Sequence, residues 1–591
     1  MTFAKRLRNH RNQTGETIDG FASTVGVSRA TVLRWETGTA KPSNLSASRL
    51  RALGIEVAVE DTNAESIPVI DSNPEETYED RRKRIRQKIS LAGKTFDFLP
   101  APYVINGPPD QLKFFEKLYK MQSTRRVIGE TPEIASRSLS MVSEIGGLEV
   151  QTPQSLLENV AHNRKSWNGN YGSHGWHRYV GRFPPHLVRA LLHTFGAQHG
   201  DTVCDPFAGS GTTLVEARLL GLNSIGVEIS PLSALIARTK STFPENADGI
   251  LSLQSKFGQY YNERWEHGLG NRDPSTLSHS EVLNRPGNPI EHFKNIEKWF
   301  TPEALLGCSI TVEFLSKIDG YEKDALAVAL SAKMRSIGNV DVDVVRAEYR
   351  KEPRLGVDVL TLVQRQLRKM GTDIERMADT HRETIRDASS VTVVADSALD
   401  VKIPPGSIDY VITSPPYGVE SLSYLRTHLL SFRVLRNLLG VDPYESDSRV
   451  IGSEYLNSDF ELRGTHEAAK ASPKFIDFFD QLVGDAGNLS RRESMRLRMM
   501  MGFFDDTVAF AERIAYWMAP GGLGAIVIGN KRLGERIIPT DEIYVEILNS
   551  CGLKVQEVVK HKLKTNNSNS QVPWQERTIQ DEYVILFEKP R

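Results

Sequence analysis

Three hydrophobic patterns follow one another along the chain, and each predicts a different kind of structure. Within residues 1–55, apolar positions recur at helical spacing between polar ones. AKRLRNHRN reads as a first helix. Thr17 caps a second that runs through Phe21 and Ala22 to Gly26; Ser28 caps a short third, and Gly38 stops it. Val32 and Trp35 stand three apart on that third helix and face inward, leaving Arg29, Thr31 and Arg34 on its outer side. Residues 56–81 are acidic and poor in large apolar groups, the pattern of a linker. RRKRIRQK at 81–88 is basic, and reads as a solvated helix face before it reads as a phosphate contact. The mixed stretch 89–165 predicts no particular element.

From about residue 170 the pattern becomes that of an α/β fold. DTVCDPF is a short apolar strand that ends at a glycine-rich turn, TTLVEARLLG a helix, and NSIGVEIS a second strand. Further strand runs lie at 391–397 (VTVVADS), 408–414 (IDYVITS), 523–530, 553–561 and 581–589. Strands separated by helical stretches predict a largely parallel sheet. The last two, joined by a polar loop without a helical pattern, predict a terminal antiparallel hairpin. A helical insert at 242–388 and an irregular one at 440–500 interrupt the series. The expected organisation is therefore a small all-α unit at 1–55, a linker with a basic helix at 56–95, and an α/β domain over 96–591.

Composition narrows the class without choosing a function. Hydrophobic residues make up 39% and charged residues 25%, ordinary for a globular protein. No run is long and apolar enough for a membrane span, and the first residues lack the apolar core of a secretion signal. Cys204, Cys308 and Cys551 are few, odd in number and far apart, which argues against a disulfide framework and for a reducing cytoplasm. No Cys/His group has zinc-site spacing, so no metal is expected. The net charge of −1 does not advertise a nucleic-acid binder. Residues 1–54 nevertheless hold about nine basic against three acidic side chains, a local excess.

Two constellations carry chemistry. In DPFAGSGTT, 205–213, a strand ends in Gly209-Ser210-Gly211 and feeds a helix, which brings backbone N–H groups close to a ligand. Leu214 stands where a dinucleotide loop needs a third glycine, and Thr212-Thr213 where a P-loop needs Lys-Ser/Thr, so both of those are disfavoured. Glu228 ends the next strand, about 17 residues past Gly211, where a carboxylate accepts ribose hydroxyls. In TSPPY, 413–417, two prolines stop the strand IDYVI in a rigid turn at its carboxyl end, where open α/β sheets place their chemistry.

DPFAGSGTTLVEA resembles the cofactor loop of the amino-methylating (N4-cytosine/N6-adenine) DNA methyltransferases, and TSPPY resembles their catalytic turn. HRYVGRFPPHLV at 177–188 is similar to the segment covering the methionine end of the cofactor. The resemblance implies a Rossmann-like sheet that binds S-adenosylmethionine through Asp205, Phe207, Gly209, Gly211, Thr212, Glu228 and Asp396. It implies catalysis by Ser414, Pro415, Pro416 and Tyr417: Ser414 Oγ and the Pro415 carbonyl accept the amine protons, and Tyr417 stacks on a flipped base. Ser-Pro-Pro-Tyr favours cytosine N4 over adenine N6. Carbon-5 methylation needs a cysteine after a proline, and none of the three cysteines has one. The amino-terminal unit resembles the helix-turn-helix of phage-repressor-like regulators, which implies that Ser28, Arg29, Thr31 and Arg34 contact double-stranded DNA. Either insert is a candidate for target recognition. A separate restriction endonuclease chain is an expected partner. The competing readings are an RNA or protein amino methyltransferase, and a regulator with a vestigial methyltransferase domain.

Overall fold

The computed structural model describes residues 170–591 apart from 271, 342–346, 351, 387–389, 419–423, 441–450, 452–465, 485–490, 534–535 and 563–580. Before 170 it describes 7–11, 17–18, 21, 32, 36, 55, 144–145 and 148–149. Ser28, Arg29, Thr31 and Arg34, and the linker at 56–95, lie outside the described residues. The chain divides into two compact units, one of Met1–Pro68 with Asn457–Phe460 and a large one that holds the main sheet.

In the amino-terminal unit, residues 7–11 are helical, and 18, 21, 32 and 36 are also in helix. Phe21 N–H donates to the Thr17 carbonyl at 2.9 Å, a helical bond that begins at the expected cap. Leu7, Phe21, Val32 and Ile55 are buried, so Val32 points inward as its spacing predicts. Arg11 pairs with Glu36 at 2.8 Å and Arg8 donates to the Glu36 carbonyl at 2.9 Å, which ties the first helix to the third.

In the large unit seven strands form one sheet: β1 (Thr202–Asp205), β2 (Asn223–Val227), β3 (Val391–Val394), β4 (Ile408–Thr413), β5 (Met518–Gly529), β6 (Lys554–Lys562) and β7 (Asp581–Glu588). Their order is β6-β7-β5-β4-β1-β2-β3. The pairs from β5 to β3 are parallel, and β7 runs antiparallel to both β5 and β6. Read from β3, this is the doubly wound order 3-2-1-4-5-6 with the antiparallel strand β7 slipped in before the last. β3 ends at Val394, short of the expected 397. Asp396 Oδ1 accepts its neighbour's Ser397 N–H at 2.8 Å and Ser397 Oγ accepts Leu399 N–H at 3.2 Å, so side chains take backbone donors that a ladder would need.

Alternation places Val203, Tyr410, Ile412, Ala525, Val527 and Val584 in one apolar layer with Leu187 and Leu191 of α1 (Pro185–Phe195). α2 (Thr212–Leu219) starts at Gly211, and α3 (Pro231–Ser241) starts with Ser230 capping Ser233 N–H and Pro231 in the first turn. The 242–388 insert is helical as expected: α4 (Asp248–Leu269), α5 (Pro302–Leu315), α6 (Gly320–Ile337) and α7 (Val359–Arg386). Phe257, Leu305, Leu330 and Leu367 from these helices share one apolar cluster with Val215 of α2 and Leu232 of α3. Trp299 and Phe300 are buried in that cluster and so are packing residues. Past β4 come α8 (Leu429–Val434), α9 (Pro473–Gly484), α10 (Arg491–Trp517) and α11 (Thr540–Ser550). Among the described residues no helix is long and apolar enough to cross a membrane.

Candidate active site

β1 and β4 are neighbours in the sheet although about 200 residues part them in the chain, and Val203 pairs with Tyr410 and Cys204 with Val411. The order reverses here, because β2 lies on one side of β1 and β4 on the other. A crevice opens at such a switch point beyond the carboxyl ends of the strands. The loop after β1 and the turn after β4 therefore stand side by side.

One buried carboxylate locks them together. Asp205 Oδ1 accepts from Thr413 Oγ1 at 2.7 Å and from Phe207 N–H at 3.1 Å, and Oδ2 accepts from Thr213 Oγ1 at 2.7 Å. The loop, the first turn of α2 and the end of β4 thus share one acceptor. Burial pushes the Asp205 carboxyl up to about 6 against these three donors, which pull it down. Its oxygens accept from internal donors and hold the frame of the loop.

Within the loop Gly209 and Gly211 have φ of 52° and 79°, a region that side chains avoid. A Cβ on Gly211 would also lie 2.8 Å from Ala237 Cα of α3, so two helices close on this residue. Glu228 reaches back to the loop: Oε2 accepts from Gly209 N–H and Oε1 from Ser230 N–H, both at 2.8 Å. Each oxygen keeps a further lone pair. Burial and the nearby Asp205 carboxylate push Glu228 up to about 7, opposed by the two N–H donors. Phe207 is half-buried, with its ring 4.8 Å from that of Phe510 on α10. Thr212 is buried in the first turn of α2, and Asp396 is half-buried beyond β3.

The segment 177–188 lies against this loop. A Cβ on Gly209 would stand 3.5 Å from the Tyr179 ring, and Tyr179 Oη is 2.9 Å from Ser233 Oγ. Tyr179 stacks on His428, centroids 5.5 Å apart. Two polar atoms here are buried without a partner among the described residues: Ser210 Oγ in the loop and His428 Nε2 beneath Tyr179. Burial, reinforced by the Arg335 charge, holds His428 down at about 4, so it is neutral near pH 7.

The turn at 413–417 is pinned on two sides. Gly418 has a φ of 88°, and a Cβ there would meet Met500 Sδ of α10 at 2.8 Å. Ser414 Oγ donates to Tyr417 Oη at 3.2 Å, and Tyr417 Oη to Glu582 Oε1 at 3.4 Å. An ionised carboxylate only accepts. It therefore sets the direction of the chain and leaves Ser414 Oγ lone pairs for another donor. Glu582 was not anticipated: it is one of two acids opening a strand, and only the antiparallel course of β7 carries that start to the carboxyl end of β4.

Glu216 was also missed. It is fully buried in α2 and accepts from Arg189, Tyr171 and His174 Nε2, the last at 2.7 Å. These donors, led by the Arg189 charge, outweigh its burial and hold it down at about 2. A glutamate inside the apolar run LVEARL is the only signal the sequence offered. Cys204 is buried in β1 and burial pushes its thiol well up, so it is inert as expected.

Residues 73–238 match the profile of a family described as DNA methylase. The matched part includes loop 205–213 and Glu228 and ends before the turn at 413–417. Similarity to whole proteins extends further. The chain is 25% identical over 450 residues to the Type II methyltransferase M.BsoBI of Geobacillus stearothermophilus, spanning 72% of this chain and 87% of that protein. It is 22% identical over 505 residues to the Type II methyltransferase M.AvaI of Nostoc sp. (strain PCC 7120 / SAG 25.82 / UTEX 2576), spanning 80% and 99%. A 39% identity over 51 residues links 9% of the chain to 15% of the tRNA (guanine(10)-N2)-dimethyltransferase of Methanothermobacter thermautotrophicus. These similarities support an amino-methylating DNA methyltransferase.

Proposed function

We propose that this chain transfers a methyl group from S-adenosylmethionine to the exocyclic amine of a base flipped out of double-stranded DNA, at cytosine N4 ahead of adenine N6. The observation that carries this reading is the Asp205–Thr413 hydrogen bond, which joins a nucleoside-binding loop to a Ser-Pro-Pro-Tyr turn. The residues present fit the cofactor: Glu228 has lone pairs for two ribose hydroxyls, and Ser210 Oγ and His428 Nε2 are buried polar atoms that lack a partner. Phe207, Gly209, Gly211, Thr212 and Asp396 are the further groups that would hold it. Bound there, it supplies a methyl already activated by a positive sulfur.

The chain's own work is positioning. Extruding the base costs a few kcal/mol, which stacking on Tyr417 offsets. Ser414 Oγ and the Pro415 carbonyl accept the two amine protons and turn the nitrogen lone pair out of conjugation with the ring. Pro416 makes the turn too stiff to relax. The resemblance of Ser414-Pro415-Pro416-Tyr417 to the turn commonest in cytosine-N4 enzymes is what favours N4. Expression in a methylation-free host, followed by sequencing that reads both marks, tests the assignment. N4-methylcytosine at one short motif is expected; N6-methyladenine would overturn the choice of base. Methylated RNA with unmarked DNA would favour the second reading, whose support is the short similarity to a tRNA dimethyltransferase.

Cofactor binding has a predicted pH dependence. Ribose hydroxyls donate to the ionised form of Glu228, whose carboxyl is pushed up to about 7. Affinity should weaken about tenfold per unit as pH falls below about 7, with a proton released on binding at pH 6. Calorimetry in buffers of different ionisation enthalpy reads both, and Glu228→Gln should bind weakly with a flat profile.

The amino-terminal unit, through Ser28, Arg29, Thr31 and Arg34, is proposed to bind the operator of its own operon and limit expression in a restriction-modification system. Its endonuclease would be a separate chain, and the setting cytoplasmic. Deleting residues 1–60 should abolish promoter binding in a gel-shift assay and leave methylation intact; lost methylation would refute the division of labour.

A further inference from the structure

The amine acceptors named so far do not account for the last proton. When the base nitrogen takes the methyl, the N–C bond forms from its lone pair and the C–S bond breaks with its pair left on sulfur. The nitrogen then carries one proton too many. Neither the Ser414 hydroxyl nor the Pro415 carbonyl is basic enough to keep it. The proton needs a group whose basicity lies near the working pH.

α10 crosses the site from one motif to the other. Its Met500 and Phe503 touch the catalytic turn, standing 2.8 and 3.8 Å from where a Gly418 Cβ would lie. Its Phe510 packs on Phe207 of the cofactor loop, rings 4.8 Å apart. Phe503, Asp506 and Phe510 are spaced by three and four residues, which puts them on one stripe of the helix. Asp506 therefore stands between the contact to the turn and the contact to the loop, the interval in which the amine must meet the methyl donor. Its neighbour Asp505 is engaged elsewhere, accepting from His466 Nδ1 at 2.8 Å and Ala468 N–H at 3.0 Å. Asp506 makes no such bond with any described residue, and it is half-buried, still open to a ligand.

We propose that Asp506 is the general base that receives the amine proton and passes it to solvent, an inference that rests on the methyl-transfer reading above. Burial, with the Asp505 charge beside it, pushes its carboxyl up to about 7, so at pH 8 it is an ionised acceptor that holds a proton well. A half-buried carboxylate without a donor among the described residues is unfavourable for folding and is explained by use. Among the described residues, the other titratable groups beside the two motifs include Asp205, Glu228 and His428 on the loop side and Tyr417 and Glu582 on the turn side.

Single-turnover methylation at saturating cofactor and DNA, from pH 5.5 to 9, tests the role. In the wild type the rate should rise about tenfold per unit to a plateau above about 7. Asp506→Asn should lose about 10²-fold or more at pH 8 and lose that limb of the profile, while Asp205 remains. Asp506→Glu should keep the limb at a reduced rate. Calorimetry should give both variants the cofactor affinity of the wild type, and Asp506→Asn should melt no lower than the wild type at pH 8. A wild-type rate and limb in Asp506→Asn would overturn the proposal. If that variant fails to fold, a flat wild-type profile or a limb absent from Asp506→Glu would do the same. Failure of the methyl-transfer reading is distinct, because the wild type itself would then leave no mark on DNA, and this inference falls with it.

Discussion

Asp205→Ala is expected to destabilise the large unit by about 3 kcal/mol or more, since unsatisfied buried donors cost about 1–3 kcal/mol each. The loss should appear in chemical denaturation as a lower midpoint with an unchanged slope. Three donors on three elements lose their common acceptor: Phe207 N–H, Thr213 Oγ1 and Thr413 Oγ1. Asp205→Asn should be milder, because one oxygen still accepts and the Thr213 hydroxyl can rotate. The charge has a separate signature. The folded carboxyl is raised to about 6, so between its unfolded value of about 4 and 6 the folded state holds the proton more tightly. Stability from this group therefore falls as pH rises through that window and levels off above it, and Asp205→Asn should remove the slope. Cofactor binding should fall with stability in the alanine variant, since the loop and the turn no longer share a frame.

The Ser414→Ala Tyr417→Ala double variant should lose methyl transfer by about 10³-fold while keeping cofactor affinity within a factor of two, because misplacing reacting groups costs rate more than ground-state binding. The hydrogen-bond chain explains why the two act as a unit. Glu582 accepts from Tyr417, Tyr417 accepts from Ser414, and the serine oxygen is left facing outward as an acceptor. Glu582→Gln can donate as well as accept, and so removes the fixed direction. It should lower kcat by a smaller factor with little change in KM for DNA. Rapid-quench methylation with labelled cofactor separates these outcomes. A Glu582→Gln profile identical to the wild type would show that the turn alone orients Ser414.

Much of the site was legible in the residues because its parts are local. A glycine pair at positive φ, an acid at the end of the next strand and a double proline at a strand end are each set by backbone sterics within a few residues. The terminal antiparallel hairpin and the helical insert were equally readable, from a missing helical pattern and a present one. The strand at 391–397 was read too long because side-chain bonds at Asp396 and Ser397, invisible to hydrophobic alternation, end it at Val394.

What the sequence determined by itself is the inventory: which loop can approach a nucleoside, which turn is rigid, which cysteines are absent from the chemistry. What only the tertiary structure decided is the company those parts keep. Pairing β1 with β4 made Asp205 the hydrogen-bonded link between the two motifs. Running β7 antiparallel brought Glu582 to Tyr417, and laying α10 across both motifs set Asp506 between them. These roles depend on strand order and on which helix face meets the sheet. Both come from burying apolar area over the whole domain, a property that no short window of residues carries.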